Sequence, residues 1–557
     1  LAEHIFIGVA WPYANGSLHL GHIAGAYLPA DIFARYHRLK GNSVLMVSGS
    51  DQHGTPITLR AEQEGKTPQE IVSRYHSEFL DCWKKLGISW DLFTTTGTEN
   101  HTRVVHDIFL KLLDRGYIYR STMPQAYCPS CRRFLPDRYV EGTCPYCKSP
   151  QARGDQCDEC GRTMNPADLL DMRCRLCAST PRWEISEHFF FRLSAFEDSL
   201  KAWVKAQSHW RQNVLNFTLG MLETGLKDRA ITRDIDWGVS VPQPGFELKR
   251  IYVWFEAVIG YLSASKEWAQ KRGDPTAWEA FWKGDARGYY FIGKDNIPFH
   301  TLIWPAMLMG YGDLNLPYDV PANEFLTIEG KKLSTSRNWA VWLPDYLQRY
   351  DSDPLRYLLS VNMPETGDTD FSWREFLRRN NDELVATYGN LAHRVLTFTQ
   401  RNYAGIVPDP GELDGQSQEL VAKARMTLEE MDRLLGGCHF REAIKTAMSL
   451  AQEVNRYLDD KSPWKKVNKS RTEAATAIYT ALVALSALKT ALYPFLPFSS
   501  SRLHRFLGFN NDIEATGWRL EMPPSGKELP PPEPLFRKLD ESILEEEGKR
   551  LGTPEPR

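Results

Sequence analysis

Eight of the ten cysteines form four Cys-x-x-Cys pairs, Cys128/Cys131, Cys144/Cys147, Cys157/Cys160 and Cys174/Cys177. A pair at this spacing presents two thiolates on one tight turn, and two such turns complete a tetrahedral zinc site. Four turns can be combined in three ways. The loop Cys147–Cys157 is the shortest and closes most readily, which nests an inner site (Cys144, Cys147, Cys157, Cys160) inside an outer one (Cys128, Cys131, Cys174, Cys177). No ligand position is left for water, so two Zn2+ per chain would act as folding ligands, worth about 10–16 kcal/mol each to a module with little core. Redox chemistry at the pairs is the alternative. Cys82 and Cys438 fall in helical patterns and read as buried thiols.

A second constellation lies near the amino end. The apolar stretch His4–Ala10 runs into Trp11-Pro12-Tyr13-Ala14-Asn15-Gly16-Ser17 and then His19-Leu20-Gly21-His22. A strand that breaks into a Gly-containing turn and a helix start offers unpaired N–H groups and a positive dipole end, which suits polyphosphate. Two His one turn apart add donors, and Gly21 leaves room for a planar base; on spacing alone, two polar His in a loop fit equally well. Far downstream, Lys331-Lys332-Leu333-Ser334-Thr335-Ser336-Arg337 follows Glu329-Gly330. Alone it is a solvated turn; beside the His turn it is a mobile cation source for a leaving pyrophosphate.

The elements that must position these groups alternate. His4–Val9 and Ser43–Ser48 read as strands, separated by a helix that ends at Leu39 before Gly41, and Thr67-Pro68-Gln69-Glu70 combines a Thr cap, a first-turn Pro and Glu at the third position. This βαβ order predicts an open, Rossmann-like, doubly wound parallel sheet whose ligand crevice lies at the strands' carboxyl ends. From about Tyr117 to Trp183 the periodicity fades into the Cys module; strand patterns resume at Lys249–Phe255 and Tyr289–Gly293. Asp353-Pro354 reads as a capped helix start. Beyond it, Trp373–Asn402, Gln416–Leu435, Phe440–Asp459 and Arg471–Tyr493 predict a helical bundle, followed after Pro523 by an extended tail with a charged end, Glu545–Arg557.

Composition excludes little. At 42% hydrophobic and 25% charged the 557-residue chain is ordinary globular material with several domains, and its net charge of −3 requires any RNA contact to come from local patches. The first residues lack a signal-peptide layout, and the apolar run Ala474–Phe495 is broken by Ser486 and Lys489, so no membrane span and a cytoplasmic location are expected.

Together the His19–His22 and Lys331–Arg337 segments resemble the HIGH and KMSKS signatures of class I aminoacyl-tRNA synthetases, and the chain as a whole is similar to the methionyl-tRNA synthetase family. The resemblance implies methionine activation by Mg2+-ATP and transfer to tRNA(Met), with His19, His22 and Lys332 catalytic. Gly21, Gly293, Asp295, Lys332 and Arg337 would bind ATP, and Gly293 and Asp295 in Gly293-Lys294-Asp295 would hold its ribose. It assigns Asp51 to the substrate ammonium and Tyr13, Trp254, Tyr261, Phe299 and His300 to the side-chain pocket. Asn390, Arg394 and Trp464 would read the anticodon, by stacking and edge hydrogen bonds.

The sequence departs from the family pattern at Thr335, which stands where the second signature Lys is expected, so Lys331 or Arg337 would share its charge. Trp11 and Val258 also replace a smaller residue and a Pro, respectively. The domains implied are a catalytic half (1–116), the zinc insert (117–230), the second catalytic half (231–323), the Lys-loop region (324–372), the helical anticodon domain (373–520) and a tail (521–557), working as a monomer. Rival readings are a class I synthetase for leucine or valine, for which the insert is short and the pocket too aromatic; a catalytically impaired tRNA-binding paralogue; and a simpler nucleotidyltransferase.

Overall fold

The computed structural model describes residues 2–136, 139–154, 157, 159, 160, 164 and 166–553. Leu1 and residues 554–557, the extremes of the expected first half-domain and tail, lie outside them. Five strands form one parallel sheet: β1 (His4–Val9), β2 (Ser43–Ser50), β3 (Leu92–Thr95), β4 (Arg287–Gly293) and β5 (Ala322–Asn323), in the order β5-β4-β1-β2-β3. All neighbouring pairs run parallel, with Ile7 opposite Met46 on one side and Tyr289 on the other. The order reverses at β1, so the crevice opens beyond the ends of β1 and β4. Ile5 to Val9 are all buried, because helices cover both faces.

Two cores lie on the two sides. Helices Leu28–Leu39 and Pro68–Leu86 pack on one face and share a continuous core with the carboxyl-terminal bundle. Helices Glu99–Asp114, Gly260–Lys271 and Trp304–Tyr311 pack on the other. The Thr67 start is a full capping box: Thr67 Oγ1 accepts from Glu70 N, and Glu70 Oε2 from Thr67 N at 2.8 Å. At the seam between sheet and bundle, the buried Asp31 carboxylate accepts from both Arg35 (2.9 Å) and Arg356 (2.6 Å). Burial opposes ionisation, but the two guanidiniums and Ser89 outweigh it and hold Asp31 well below the usual carboxylate range.

Two expectations are corrected. Lys249–Phe255 is not a sheet strand: Arg250–Ile251 pairs antiparallel with Thr232–Arg233, and a short helix, Val253–Ala257, follows. Along Ile251–Phe255, buried Ile251, Val253 and Phe255 alternate with half-buried Tyr252 and Trp254, the period a strand would show, so pattern could not separate strand from helix. Asp353 does not cap its helix, which begins at Ser352 behind Asp351; its carboxylate instead accepts from Ser499 N at 2.7 Å. The insert starts and ends in a long antiparallel ribbon, Ile118–Cys128 against Arg182–Phe191.

In the bundle, helices Gly415–Gly436, Phe440–Lys461 and Arg471–Leu492 pack around one another. Arg471–Leu492 is long and apolar enough to cross a membrane, yet Ala474 to Leu492 is buried inside the fold. The tail is extended until a helix at Ile543–Arg550.

Candidate active site

β1 stays in the ladder to its end, where Ala10 N donates to Phe291 O (3.1 Å). The chain then turns, and His19, in extended conformation, stands before the helical turn Leu20–His22. His19 N donates to His22 Nδ1 (3.2 Å), which leaves the His22 proton on Nε2, and the two rings stack with centroids 3.7 Å apart. Burial drops His22 to about 4 and, with the His22 neighbour, holds His19 well below its ordinary value. Both imidazoles are therefore neutral at pH 7, and the turn offers N–H donors and a helix end rather than fixed cations.

The Lys segment folds directly against this turn. Strand Leu326–Ile328 reverses through Glu329 (φ +50°) and Gly330 (φ +73°) into Lys331–Lys332. A Cβ at Gly21 would lie 3.1 Å from His19 Nδ1 and 3.3 Å from Leu333 Cδ1, so a Gly admits both. Ser334 and Trp339 exchange two main-chain hydrogen bonds, at 3.0 and 2.9 Å, and close the loop. Beyond it, Leu20 N donates to Val341 O (3.2 Å) and Leu343 N to Leu18 O (2.8 Å). Two segments more than three hundred positions apart are thus joined by backbone. Lys331 lies 4.3 Å from the centre of the Trp339 ring, Arg337 Nε donates to Ser334 Oγ (3.2 Å), and Lys332 stays exposed. Across the crevice, Gly293 ends β4 and Asp295 is exposed just beyond it; a Cβ at Gly293 would come within 2.9 Å of Asp295 Oδ1.

The expected amino-acid residues also converge. Tyr13 and Asp51, at the ends of β1 and β2, are bridged by their main chains, with Ala14 N donating to Asp51 O at 2.8 Å. Trp254 Nε1 donates to the Tyr13 hydroxyl (2.7 Å), and its ring meets Phe299 edge-on at 4.8 Å. His300 donates from Nδ1 to Asn296 O (2.9 Å), so its Nε2 accepts from the Tyr261 hydroxyl (2.7 Å), and burial keeps it neutral with a pKa near 4. Phe299 and His300 sit in a π-helical turn, Phe299–Ile303, as does the stretch just after His22, Ile23–Tyr27; such turns re-aim side chains at functional sites. Trp11 fills the space over Gly49 and Gly260; a Cβ at Gly260 would lie 2.7 Å from the indole. Val258 is buried behind the short helix.

The family model for class I tRNA synthetases of the methionine type matches residues 5–396 of this chain, and the model for the anticodon-binding domain of methionyl tRNA ligase matches 407–555. The chain belongs to the methionyl-tRNA synthetase family. It is 63% identical to the methionine–tRNA ligase of Dehalococcoides mccartyi over 99% of this chain and all of that one. To the methionine–tRNA ligase of Thermomicrobium roseum it is 54% identical over 99% of each. Among solved structures it is similar to Mycobacterium tuberculosis methionyl-tRNA synthetase in complex with methionyl-adenylate, with a TM-score of 0.79 and 26% identity over 96% of this chain and 99% of that one.

Both cysteine sets of this synthetase-family chain assemble as the spacing predicts. Cys128, Cys131, Cys174 and Cys177 have their sulfurs within 4.8 Å of one another, as do Cys144, Cys147, Cys157 and Cys160. In the bundle, helix Asn390–Tyr403 presents Asn390 and Arg394 on one exposed face. The Arg394 guanidinium lies 5.1 Å from the centre of the Trp464 ring, donates to Asn455 Oδ1 (3.1 Å) and approaches Asp459 (3.6 Å). Asn390 lies one turn away from this pair.

Sequence reasoning gave no role to the buried Glu256, which contacts His53 and His101. These partners lie 203 and 155 positions from it. His53 and Glu256 lie within the two segments that carry Asp51 and Trp254, which is the signal that could have found them; His101 carried none.

Proposed function

We propose that this chain activates L-methionine with ATP to methionyl-adenylate and pyrophosphate, then transfers the methionyl group to the 3′ end of tRNA(Met). What carries the reading is the backbone junction of His turn and Lys loop beside one aromatic pocket with a buried carboxylate. The Asp51 carboxylate meets the substrate ammonium, while Tyr13, Trp254, Tyr261, Phe299 and His300 enclose the thioether side chain. Sulfur-to-ring contacts contribute about 0.3–1.5 kcal/mol each, so selection rests on several rings closing together.

The methionine carboxylate oxygen attacks the α-phosphorus in line, the bond to the bridging oxygen breaks, and pyrophosphate leaves with the electron pair. His22 Nε2–H, His19 and the helix end donate to the phosphates, which Mg2+ accompanies, and Gly293 and Asp295 hold the ribose. Lys332, with Lys331 and Arg337 near it in place of a cation at Thr335, follows the departing charge. A ribose hydroxyl of the terminal tRNA adenosine then attacks the activated carbonyl, and AMP leaves. Catalysis is positioning and charge stabilisation, without a covalent enzyme intermediate.

Asn390, Arg394 and Trp464 read the anticodon, two zinc ions hold the knuckles, and the enzyme acts as a cytosolic monomer. The test is ATP–pyrophosphate exchange with a panel of amino acids. Exchange dependent on methionine is expected, and its absence overturns the reading.

A further inference from the structure

Behind Asp51 lies a second carboxylate that faces no substrate. Glu256 is fully buried in the helical turn Val253–Ala257, the same turn that presents Trp254 to the pocket. Its Oε1 is 2.8 Å from His53 Nδ1 and its Oε2 is 2.5 Å from His101 Nε2. Ser263 Oγ donates to Gly260 O (3.1 Å), so it accepts from His101 Nδ1 at 2.8 Å. With that ring proton committed, the Glu256–His101 contact must itself hold a second one. Glu256 is thereby paired inside the cluster.

His53 ties this cluster to the substrate carboxylate. Its ring is fixed by Glu256, while its main-chain N–H points at Asp51 Oδ1, 3.3 Å away. The segment between is clamped from both sides: Gln52 N donates to Thr96 Oγ1 (2.9 Å) and Gln52 O accepts from Trp237 Nε1 (2.5 Å). Gly54, at φ +88°, leaves no slack, because a Cβ there would lie 3.0 Å from Val253 of the Glu256 turn. Burial, and then the Glu256 carboxylate, push the Asp51 carboxyl above its usual range. Glu256 has His53 and His101 as its own partners, so Asp51 is the carboxylate an arriving ammonium would pair with and relieve.

We propose that Glu256, with His53 and His101, is a positioning group for amino-acid binding: it fixes the His53 main chain against Asp51 and leaves Asp51 as the uncompensated carboxylate of the site. The inference rests on the reading of Asp51 as the ammonium ligand. A salt bridge that served stability alone would lower the melting temperature without singling out one substrate.

The test is ATP–pyrophosphate exchange with KM measured separately for methionine and ATP. Glu256→Ala and His53→Ala each raise the methionine KM by about tenfold, the low end of what outer-shell partners cost, with the ATP KM within twofold. Glu256→Gln recovers most of the loss, because its carbonyl can accept from His53 and its amide can donate to a singly protonated His101. If His53→Ala leaves the methionine KM unchanged, or Glu256→Gln rescues nothing, the positioning role is wrong. Asp51→Asn is the control: an unchanged methionine KM there overturns the ammonium reading and the inference with it, whereas exchange that ignores methionine in the unsubstituted enzyme overturns the proposed function.

Discussion

Removing the outer zinc should reach the amino-acid site, and the structure gives the route. A tetrahedral zinc with Zn–S bonds of about 2.3 Å has sulfur–sulfur edges of about 3.8 Å. The sulfur contacts are 3.4 Å for Cys128/Cys177 and 3.9 Å for Cys131/Cys174 in the outer set, and 3.9 Å for Cys144/Cys160 and 3.6 Å for Cys147/Cys157 in the inner set. Both sets therefore fit one ion each without rearrangement. The outer knuckle holds Tyr139 in place, since Arg175 N, next to Cys174, donates to Tyr139 O at 2.9 Å. The Tyr139 hydroxyl in turn donates to Thr58 Oγ1 (2.8 Å), and Leu59 packs in the module's core. Thr58 and Leu59 belong to helix Thr55–Glu64, which starts immediately after Gly54.

Cys174→Ser should thus release one of two zinc ions and loosen the helix that follows Asp51. One hydrogen bond contributes about 0.5–1.5 kcal/mol, which is roughly a two- to tenfold rise in methionine KM if it all reaches the site. Cys144→Ser also releases one ion, but from the inner knuckle, which among the described residues makes no main-chain hydrogen bond to Tyr139 of the kind Arg175 makes, and should move the methionine KM less. Zinc is counted by elemental analysis and by a colorimetric chelator after thiol modification; KM comes from pyrophosphate exchange. One zinc or fewer in the unsubstituted chain, or equal effects of the two substitutions on KM, would refute the reasoning.

Lys332→Ala should lower the exchange kcat by about 10²–10³-fold, the cost of a lost transition-state charge partner, with Lys331→Ala and Arg337→Ala smaller but measurable; if neither of the latter matters, no charge is shared around Thr335. Trp464→Ala removes a stacking platform worth about 1–3 kcal/mol per base, roughly five- to 150-fold in tRNA affinity, read as aminoacylation KM for tRNA against an unchanged pyrophosphate exchange; a shift in exchange instead would deny the anticodon role. Burial lowers His300 from 6.5 to about 4, so its neutral form is the native one and its stabilising contribution is intact above the unfolded value and lost as pH falls. At pH 5 the gap of about 1.5 units corresponds to about 2 kcal/mol. His300→Gln should flatten the fall in melting temperature between pH 7 and pH 5, and an identical slope in both proteins would count against it.

The local grammar of this chain was legible where one short segment decides the outcome. Thr67-Pro68-Gln69-Glu70 builds a capping box from its own four residues, and each Cys-x-x-Cys turn sets its own geometry. The strand His4–Val9 could be read because burial on both faces requires an unbroken apolar run. What could not be read depends on distant partners. Asp353 looks like a helix cap until Ser499, 146 positions away, offers it an N–H. Val253-Trp254-Phe255 looks like a strand until the surrounding core proves to bury a helical turn. The π-helical turns at Ile23–Tyr27, Phe299–Ile303 and Arg379–Gly389 adjoin the His turn, the aromatic pocket and Asn390, and no helical period announces them.

The Lys loop is likewise held in place by partners far away in the sequence. Its far root is hydrogen-bonded to the His turn through Leu18, Leu20, Val341 and Leu343. Its tip is held from a third direction: Gly552 N donates to Asn338 O at 3.0 Å, and Asn338 Nδ2 donates to Thr553 O. Helix Ile543–Arg550, which leads to that contact, is itself anchored by the buried Glu547, accepting from Arg349 (2.9 Å) and Tyr350 (2.8 Å). Between root and tip, the left-handed backbone at Glu329, Gly330 and Asn338 brackets the segment that carries Lys331, Lys332 and Arg337. In the proposed reaction, any motion that follows a departing pyrophosphate should therefore fall inside this bracket, and Gly330→Ala, which strains the backbone at φ +73°, should lower the exchange kcat more than the methionine KM.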